Sequence, residues 1–324
     1  MTNLAFFGTP EFSVAPLNAV HNLCTRLGHN LVLVVCQPDR PKGRGQKTEA
    51  PPVKSAAERL NIPVLQPETL RKNTPGGDLL YDTLKARHIE LAVVVAYGRI
   101  FTPRLLAVPR LGFINTHASL LPRWRGAAPI ERALLHGDKE TGISIMHLVP
   151  EMDAGDVYAR YPLPIDPKDN SETLRAKLSL LAGQSLTDTL PGILDQSLPM
   201  APQTAVGITY AHPLKKEEGL IDFERSAAHI INHNRAMHGW PSAYCFYKNQ
   251  RVILDDASMS SIRAEASCPA GTIVSTEHAL HVMAMDGVVQ FARIKLEGKR
   301  DMTMDELSRG FQFVAGDLLD KSKS

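Results

Sequence analysis

The chain has 324 residues, 44% of them hydrophobic, and carries 36 Lys plus Arg against 34 Asp plus Glu for a net charge of +2. That length exceeds the usual single core and predicts two domains, each with enough apolar material. Charge is spread evenly, with 22 basic against 19 acidic residues over 1–205 and 14 against 15 over 206–324, so bulk electrostatics offers no nucleic-acid footprint.

Met1 to Phe7 is apolar but has no Lys or Arg and runs into Gly8-Thr9-Pro10, unlike a secretory leader. No apolar run approaches membrane-spanning length. Cys24, Cys36, Cys245 and Cys268 lie far apart with no Cys-x-x-Cys pair, which argues against a zinc site and a disulfide framework and fits a reducing, cytoplasmic setting.

In chain order, short apolar runs alternate with helix-like stretches: Leu4 to Phe7 then Ser13 to Leu27, Leu31 to Cys36 then Val53 to Leu60, and Leu91 to Ala96 then Pro103 to Val108. This is the rhythm of a parallel sheet with helices on both faces, an α/β, Rossmann-like domain. Leu91-Ala-Val-Val-Val-Ala96 lacks polar alternation, as a central strand buried on both sides should. Gly8-Thr-Pro-Glu-Phe12 sits at the first strand-to-helix turn. It contains neither the G-x-G-x-x-G dinucleotide fingerprint nor the Gly-Lys-Ser/Thr of a P-loop. Gly112 to Thr116 reads as the next strand, and Gly142 to Leu148 with Asp156 to Tyr161 as two more bracketing the turn Pro150-Glu-Met-Asp153-Ala-Gly155. Thr173 to Leu194 has the period of one long amphipathic helix.

Pro191-Gly192 and Leu198-Pro-Met-Ala-Pro202 then break the pattern. The expected organisation is a catalytic domain over 1–196, a linker over 197–211 and a smaller domain over 212–324. Short β-type runs at Ala243 to Tyr247, Arg251 to Leu254, Gly271 to Val274, Ala279 to Met283 and Val288 to Ile294 point to an OB-like small β-barrel in the last of these.

The chemistry concentrates at Phe113-Ile-Asn115-Thr-His117-Ala-Ser119-Leu120-Leu121-Pro122-Arg-Trp-Arg125-Gly126, an apolar strand that breaks into a polar loop. Side chains two apart on a strand share a face, so Asn115 offers an amide donor beside the titratable ring of His117. The pair lies at the C-terminal end of a central parallel strand, where open α/β sheets place ligands. Together they can hold an oxyanion and move a proton. His21, His88, His229 and His281 have no such setting and read as ordinary hydrogen-bonded histidines. Ser119 lacks the G-x-S-x-G surround of a nucleophile and reads as pocket wall. A catalytic imidazole commonly needs a carboxylate to orient it, and Asp153, in a turn returning to the same sheet edge, is the candidate.

These residues carry a resemblance. Asn115-x-His117-x-Ser119-Leu-Leu-Pro122 with Asp153 downstream, together with Gln37-Pro-Asp-Arg-Pro-Lys-Gly-Arg-Gly45 and Val95-Ala-Tyr-Gly98, is similar to the folate-dependent formyltransferases over essentially the whole chain. The resemblance implies transfer of a formyl group from 10-formyltetrahydrofolate, without a metal, to the α-amino group of methionine on initiator tRNA. It implies that Asn115 and His117 meet the tetrahedral oxyanion. Asp153 would orient His117 and hold a water that relays the amine proton. The pterin is implied near Ser119, Leu120, Leu121 and Pro122, beside Val95, Tyr97 and Gly98. The basic loop with Arg40, Lys42, Arg44 and Lys47 becomes a tRNA-binding insertion in which Arg44 is the important arginine, although a solvated Gly/Pro loop would have the same composition.

The C-terminal barrel would add tRNA contacts, yet its net charge of −1 restricts these to a local basic face. A monomer is the default expectation. Sister reactions on a sugar-nucleotide amine or on glycinamide ribonucleotide, and hydrolysis of formyltetrahydrofolate by water, use the same three residues. The C-terminal domain disfavours the glycinamide case, the basic loop the sugar case, and a catalytic pattern beginning at the first strand the hydrolase. A non-catalytic RNA-binding protein would have no reason to keep Asn115, His117 and Asp153.

Overall fold

A computed structural model describes residues 1–42, 47–265 and 267–321. The chain forms two compact units: one comprises Met1–Pro129, Glu140–Pro164 and Arg175–Ala211, and the other Ile130–Lys139, Ile165–Leu174 and the chain from His212 onward.

The first unit contains strands β1 (Asn3–Gly8), β2 (Asn30–Val35), β3 (Arg40–Lys42), β4 (Lys47–Glu49), β5 (Val64–Leu65), β6 (Ile89–Val95), β7 (Phe113–His117), β8 (Arg125–Gly126), β9 (Glu140–His147), β10 (Val157–Pro164) and β11 (Tyr210–Ala211). Seven of them form one sheet in the order β10-β9-β7-β6-β1-β2-β5. From β5 to β7 neighbours run parallel, and β9 and β10 are antiparallel additions. The central strands are Val/Leu/Ala-rich on both faces because helices cover both. Helix α1 (Val14–Leu27) buries Leu17, Val20, Leu23 and Cys24 against β1 and β2. It ends at Gly28, whose φ of 71° closes the helix through a bond from Gly28 N to Cys24 O. Helix α2 (Pro52–Arg59) packs beside α1.

On the opposite face Leu80 and Leu84 of α3 (Pro75–Ala86) and Leu105 of α4 (Pro103–Leu106) join Ala5, Phe7, Leu33, Val35, Val94, Tyr97, Phe101 and Phe113 in one buried cluster. Phe7 is its hub, with ring centroids 5.5, 5.3 and 5.5 Å from Tyr97, Phe101 and Phe113, separations at which aromatic pairs add to area burial.

The sheet order reverses between β1 and β6, and such a switch point opens a crevice at the C-terminal strand ends. Next to it lies β7, which pairs with β6 at Val94–Asn115 and with β9 at His117–Ser144. The β9–β10 hairpin needs two close backbone approaches. A Cβ on Gly142 would lie 2.1 Å from Tyr161 O, and one on Gly155 would lie 1.9 Å from His147 O.

Helices α5 (Pro129–His136) and α6 (Ser171–Leu194) follow β8 and β10. Helix α6 runs through Pro191 to Leu194, the end expected from the sequence, and Asp195 N closes a last bond to Pro191 O at 3.1 Å. The stretch 197–211, read as a linker, is held on the first unit: Ala201 pairs with Val157, and β11 pairs with β8.

The second unit contains α7 (Ala227–Met237), capped by Ser226 Oγ accepting from His229 N at 3.2 Å, and α8 (Met304–Leu307). Its sheet has the order β12-β13-β16-β15-β14, from β12 (Tyr244–Tyr247), β13 (Gln250–Met259), β14 (Ile273–Ser275), β15 (Leu280–Met283) and β16 (Val288–Leu296), all antiparallel. Residues 316–320 pair with both edges, Thr272 to Leu318 beside β14 and Phe246 to Asp320 on β12, so the sheet closes on itself and presents no long open edge. Arg235 ties the excursion 165–174 to this unit by donating to Asp166 O at 2.8 Å and to Asp169 O.

Two outcomes follow from this packing. Gly142→Ala must displace Tyr161 backbone, so urea unfolding should show a loss of about 2 kcal/mol, and an unchanged midpoint would contradict the close approach. In the second unit, His233 is buried, its Nε2 donates to Glu218 O at 2.6 Å, and burial holds its pKa below the ordinary histidine range. A base with a depressed folded pKa contributes stability that is complete above the unfolded value, about 6.5, and is lost as pH falls below it. Unfolding free energy should therefore decline from pH 7 to pH 5, with a smaller slope in His233→Gln. An equal slope in both proteins would remove His233 from the effect.

Candidate active site

On β7 the residues Phe113, Asn115 and His117 share one face. Phe113 lies in the apolar cluster, Asn115 is half-buried, and the His117 side chain is 6% exposed at the strand end. The face thus changes from apolar to polar toward the C-terminal sheet edge. Three non-glycine residues adopt left-handed backbone there: Ala96 at φ 46°, Trp124 at φ 64° and Asp153 at φ 48°. Such residues are rare and concentrate at functional sites, where surrounding bonds hold them.

Asp153 joins the set. Its Oδ1 accepts from Asn115 Nδ2 at 3.3 Å, its Oδ2 accepts from Gly126 N at 2.8 Å, and Oδ2 also lies 3.6 Å from His117 Nδ1. His117 Nε2 is 2.8 Å from Trp124 O. A carbonyl only accepts, so Nε2 carries the hydrogen and Nδ1 is left as the nitrogen that exchanges a proton toward the carboxylate. Asn115 has a second N–H beyond the one given to Asp153, suited to a developing oxyanion. The arrangement therefore supplies an amide donor, a proton-exchanging imidazole and a fixed carboxylate at one strand end.

Other expected positions divide. Ser119 is fully buried and donates to Arg123 O at 2.6 Å, so its hydroxyl shapes the loop. Leu121 N donates to Ser144 Oγ at 3.0 Å, while the Leu121 side chain packs with Met146 and Val157. Leu120 and Pro122 are partly exposed. Val95 and Tyr97 point into the core, and burial pushes the Tyr97 phenol well up. What this segment turns toward the sheet edge is backbone: Val95 O accepts from Ser13 Oγ at 2.7 Å, Tyr97 O from Gln37 Nε2 at 2.8 Å, and Ala96 and Gly98 are exposed.

Of the basic loop, β3 and β4 form a hairpin pairing Arg40 with Glu49 and Lys42 with Lys47. Arg40 donates to Gln37 Oε1 at 3.2 Å, and Arg44 lies outside the described residues. The base of this hairpin is fixed by Lys54, 2.8 Å from Asp39, and by Gln66 donating to Asp39 Oδ1 at 2.7 Å. Trp124 and Gly126 were visible in the sequence only as parts of a turn. Their carbonyl and amide roles belong to the backbone and leave no residue-type signal. Among the described residues no group of three His, Cys, Asp or Glu is placed to hold a metal ion, and no helix is long and apolar enough to cross a membrane.

Comparison with known proteins decides the family. Residues 2–190 match the formyl transferase model and residues 213–312 the formyl transferase C-terminal domain model. The chain belongs to the formyl transferase family. It is 38% identical to the methionyl-tRNA formyltransferase of Thermodesulfovibrio yellowstonii over 97% of this chain and 98% of that one. With the methionyl-tRNA formyltransferase of Sulfurihydrogenibium sp. it shares 37% identity over 96% and 98%. The fold also matches a sugar 3N-formyl transferase, WlaRD, solved with dTDP and 5-N-formyl-THF. That match has a TM-score of 0.69 at 15% identity and covers 93% of this chain and 99% of that one.

For this formyl transferase, Asp153→Asn removes the carboxylate charge beside His117 and one of the two acceptor oxygens, while the remaining oxygen can still accept from Gly126 N. The rate of formyl transfer at saturating substrates should fall by about 100-fold or more, with the thermal midpoint nearly unchanged. A rate like that of the wild type would remove Asp153 from the mechanism.

Proposed function

We propose that this enzyme transfers the formyl group of 10-formyltetrahydrofolate to the α-amino group of methionine on initiator tRNA, and that it does so in the cytoplasm as a monomer. The observation that carries this reading is end-to-end identity of 37–38% to two methionyl-tRNA formyltransferases, joined to the convergence of Asn115, His117 and Asp153. The 15% identity to the sugar formyl transferase extends to fold alone.

In this reading the amine nitrogen attacks the formyl carbon. The C–N bond to the amine forms, the formyl oxygen gains negative charge, and the free N–H of Asn115 donates to it. The bond to folate N10 then breaks, and the proton lost by the amine passes to N10 through His117 Nδ1 and the Asp153 carboxylate or a water between them. Nothing is oxidised or reduced, and the step needs no metal. The donor's flat pterin finds exposed backbone at Ala96 and Gly98 and partly apolar walls at Leu120 and Pro122, the mixture of apolar surface and a few backbone groups that such rings require.

Residues 1–196 act as the catalytic domain in this assignment, with 197–211 leading to a tRNA-contacting domain over 212–324. The basic loop with Arg40, Lys42, Arg44 and Lys47 engages the tRNA. Asp39, just ahead of it, is held by Lys54 at 2.8 Å.

The direct test incubates the protein with 10-formyltetrahydrofolate and, in parallel, with charged initiator Met-tRNA, uncharged tRNA or water. Formyl should appear on Met-tRNA alone, and its absence there would sink the reading. Equal turnover with water would make the enzyme a hydrolase. Arg44→Ala should raise the KM for Met-tRNA by about 10-fold, roughly one charge-assisted contact, while leaving the folate KM unchanged. An unaltered KM for Met-tRNA would return the loop to a solvated surface feature.

A further inference from the structure

Behind the Asp153 turn stands a residue with no part in the chemistry above. Gln203 Nε2 donates to Asp153 O and to Gly155 O, each at 2.8 Å. Its Oε1 accepts from Arg125 Nε at 3.0 Å and from Arg125 Nη2 at 2.7 Å. Both N–H groups and both lone pairs of one amide are thus engaged. Arg125 is itself buried, 7% exposed, so its guanidinium cannot swing away to release the amide without entering water-poor surroundings.

The same returning stretch supports the opposite wall of the site. Trp124 N donates to Thr209 Oγ1 at 2.9 Å, Arg125 N to Thr209 O at 2.9 Å, and Ala127 N to Ala211 O at 2.8 Å. Residues 203–211 therefore grip two turns at once. One offers the Trp124 carbonyl to His117, and the other carries Asp153 in its left-handed conformation.

We infer that Gln203, locked by Arg125, is a positioning residue for formyl transfer: it holds the backbone turn that aims the Asp153 carboxylate at Asn115, His117 and Gly126. The inference rests on the formyl-transfer reading of the site. A glutamine that merely filled space would have no need to bind both carbonyls flanking Ala154. A glutamine that acted on substrate would present a free N–H or oxygen, and all four positions on this amide are taken.

The test uses Gln203→Glu, which keeps an acceptor for Arg125 but sets a carboxylate oxygen against the carbonyls of Asp153 and Gly155. Alone, it should lower kcat by about 30- to 100-fold, the effect of a misplaced catalytic group, with both KM values within about 2-fold. Placed on Asp153→Asn, it should lower kcat by less than about 2-fold further, because residues that act through one another are not additive. Equal losses in the two backgrounds would make Gln203 a structural residue only and overturn the inference.

A second readout does not depend on turnover. The Gly126 N–H donates to Asp153 Oδ2, so its hydrogen exchange reports where the carboxylate stands. Gln203→Glu should speed that exchange by about 10-fold or more, with β6 and β9 amides unchanged. Unaltered protection at Gly126 would overturn the inference even if the wild-type enzyme formylated no Met-tRNA, whereas an inactive wild type with a faster Gly126 amide in the variant would place the failure in the acceptor assignment.

Discussion

Everything in the site turns on one carboxylate fixed from a strained turn. Asp153 accepts from an amide side chain on β7 and from a backbone N–H on β8, and stands 3.6 Å from an imidazole nitrogen. No single segment can bring these together. The sheet supplies Asn115 and His117 at the end of a buried strand, the β9–β10 turn supplies Asp153, and the loop after β7 supplies Gly126 N and Trp124 O. Left-handed backbone at Trp124 and Asp153 is unfavourable for an L residue, so those turns persist because hydrogen bonds on several sides determine them.

The fold explains why these parts meet at this edge. A parallel sheet sends its connections to opposite ends in alternation, and the reversal of order between β1 and β6 keeps helices from covering the C-terminal crevice. β7 flanks that reversal, with β9 added antiparallel on its far side; β9 ends with His147 beside Ile114, and the β9–β10 turn folds back from there to bring Asp153 to Asn115 and Gly126. Gly155 permits the turn to lie against His147 O, where any Cβ would collide. The aromatic cluster under Phe113 then anchors the strand whose next two same-face residues are Asn115 and His117, the pair proposed to act on the formyl group.

Much of this was legible in the sequence, and unevenly so. The apolar runs of β1, β2 and β6 and the long helix α6 stand out because burial on both faces, or a clean helical period, demands it. Asn115 and His117 could be read from strand alternation and position alone. Asp153 could be named only as a turn carboxylate of the right kind, and the family resemblance singled it out, since no local pattern tells where a loop 38 residues away returns. The short β8–β11 pair and the Gln203 brace left no trace, because their partners are backbone groups far apart in the chain. Tyr97 illustrates the reverse: a polar aromatic in a loop-like stretch turns its ring into the core and leaves only its carbonyl at the edge.

In the proposed mechanism Asn115, His117 and Asp153 work on the reaction itself and do little of the binding. Single-turnover formyl transfer in His117→Ala, measured alongside the affinities for the folate donor and for Met-tRNA, tests it most directly. The transfer rate should fall by about 100- to 10,000-fold, with both affinities held within about 3-fold. A variant that binds either substrate far more weakly yet transfers formyl at the wild-type rate once saturated would contradict it.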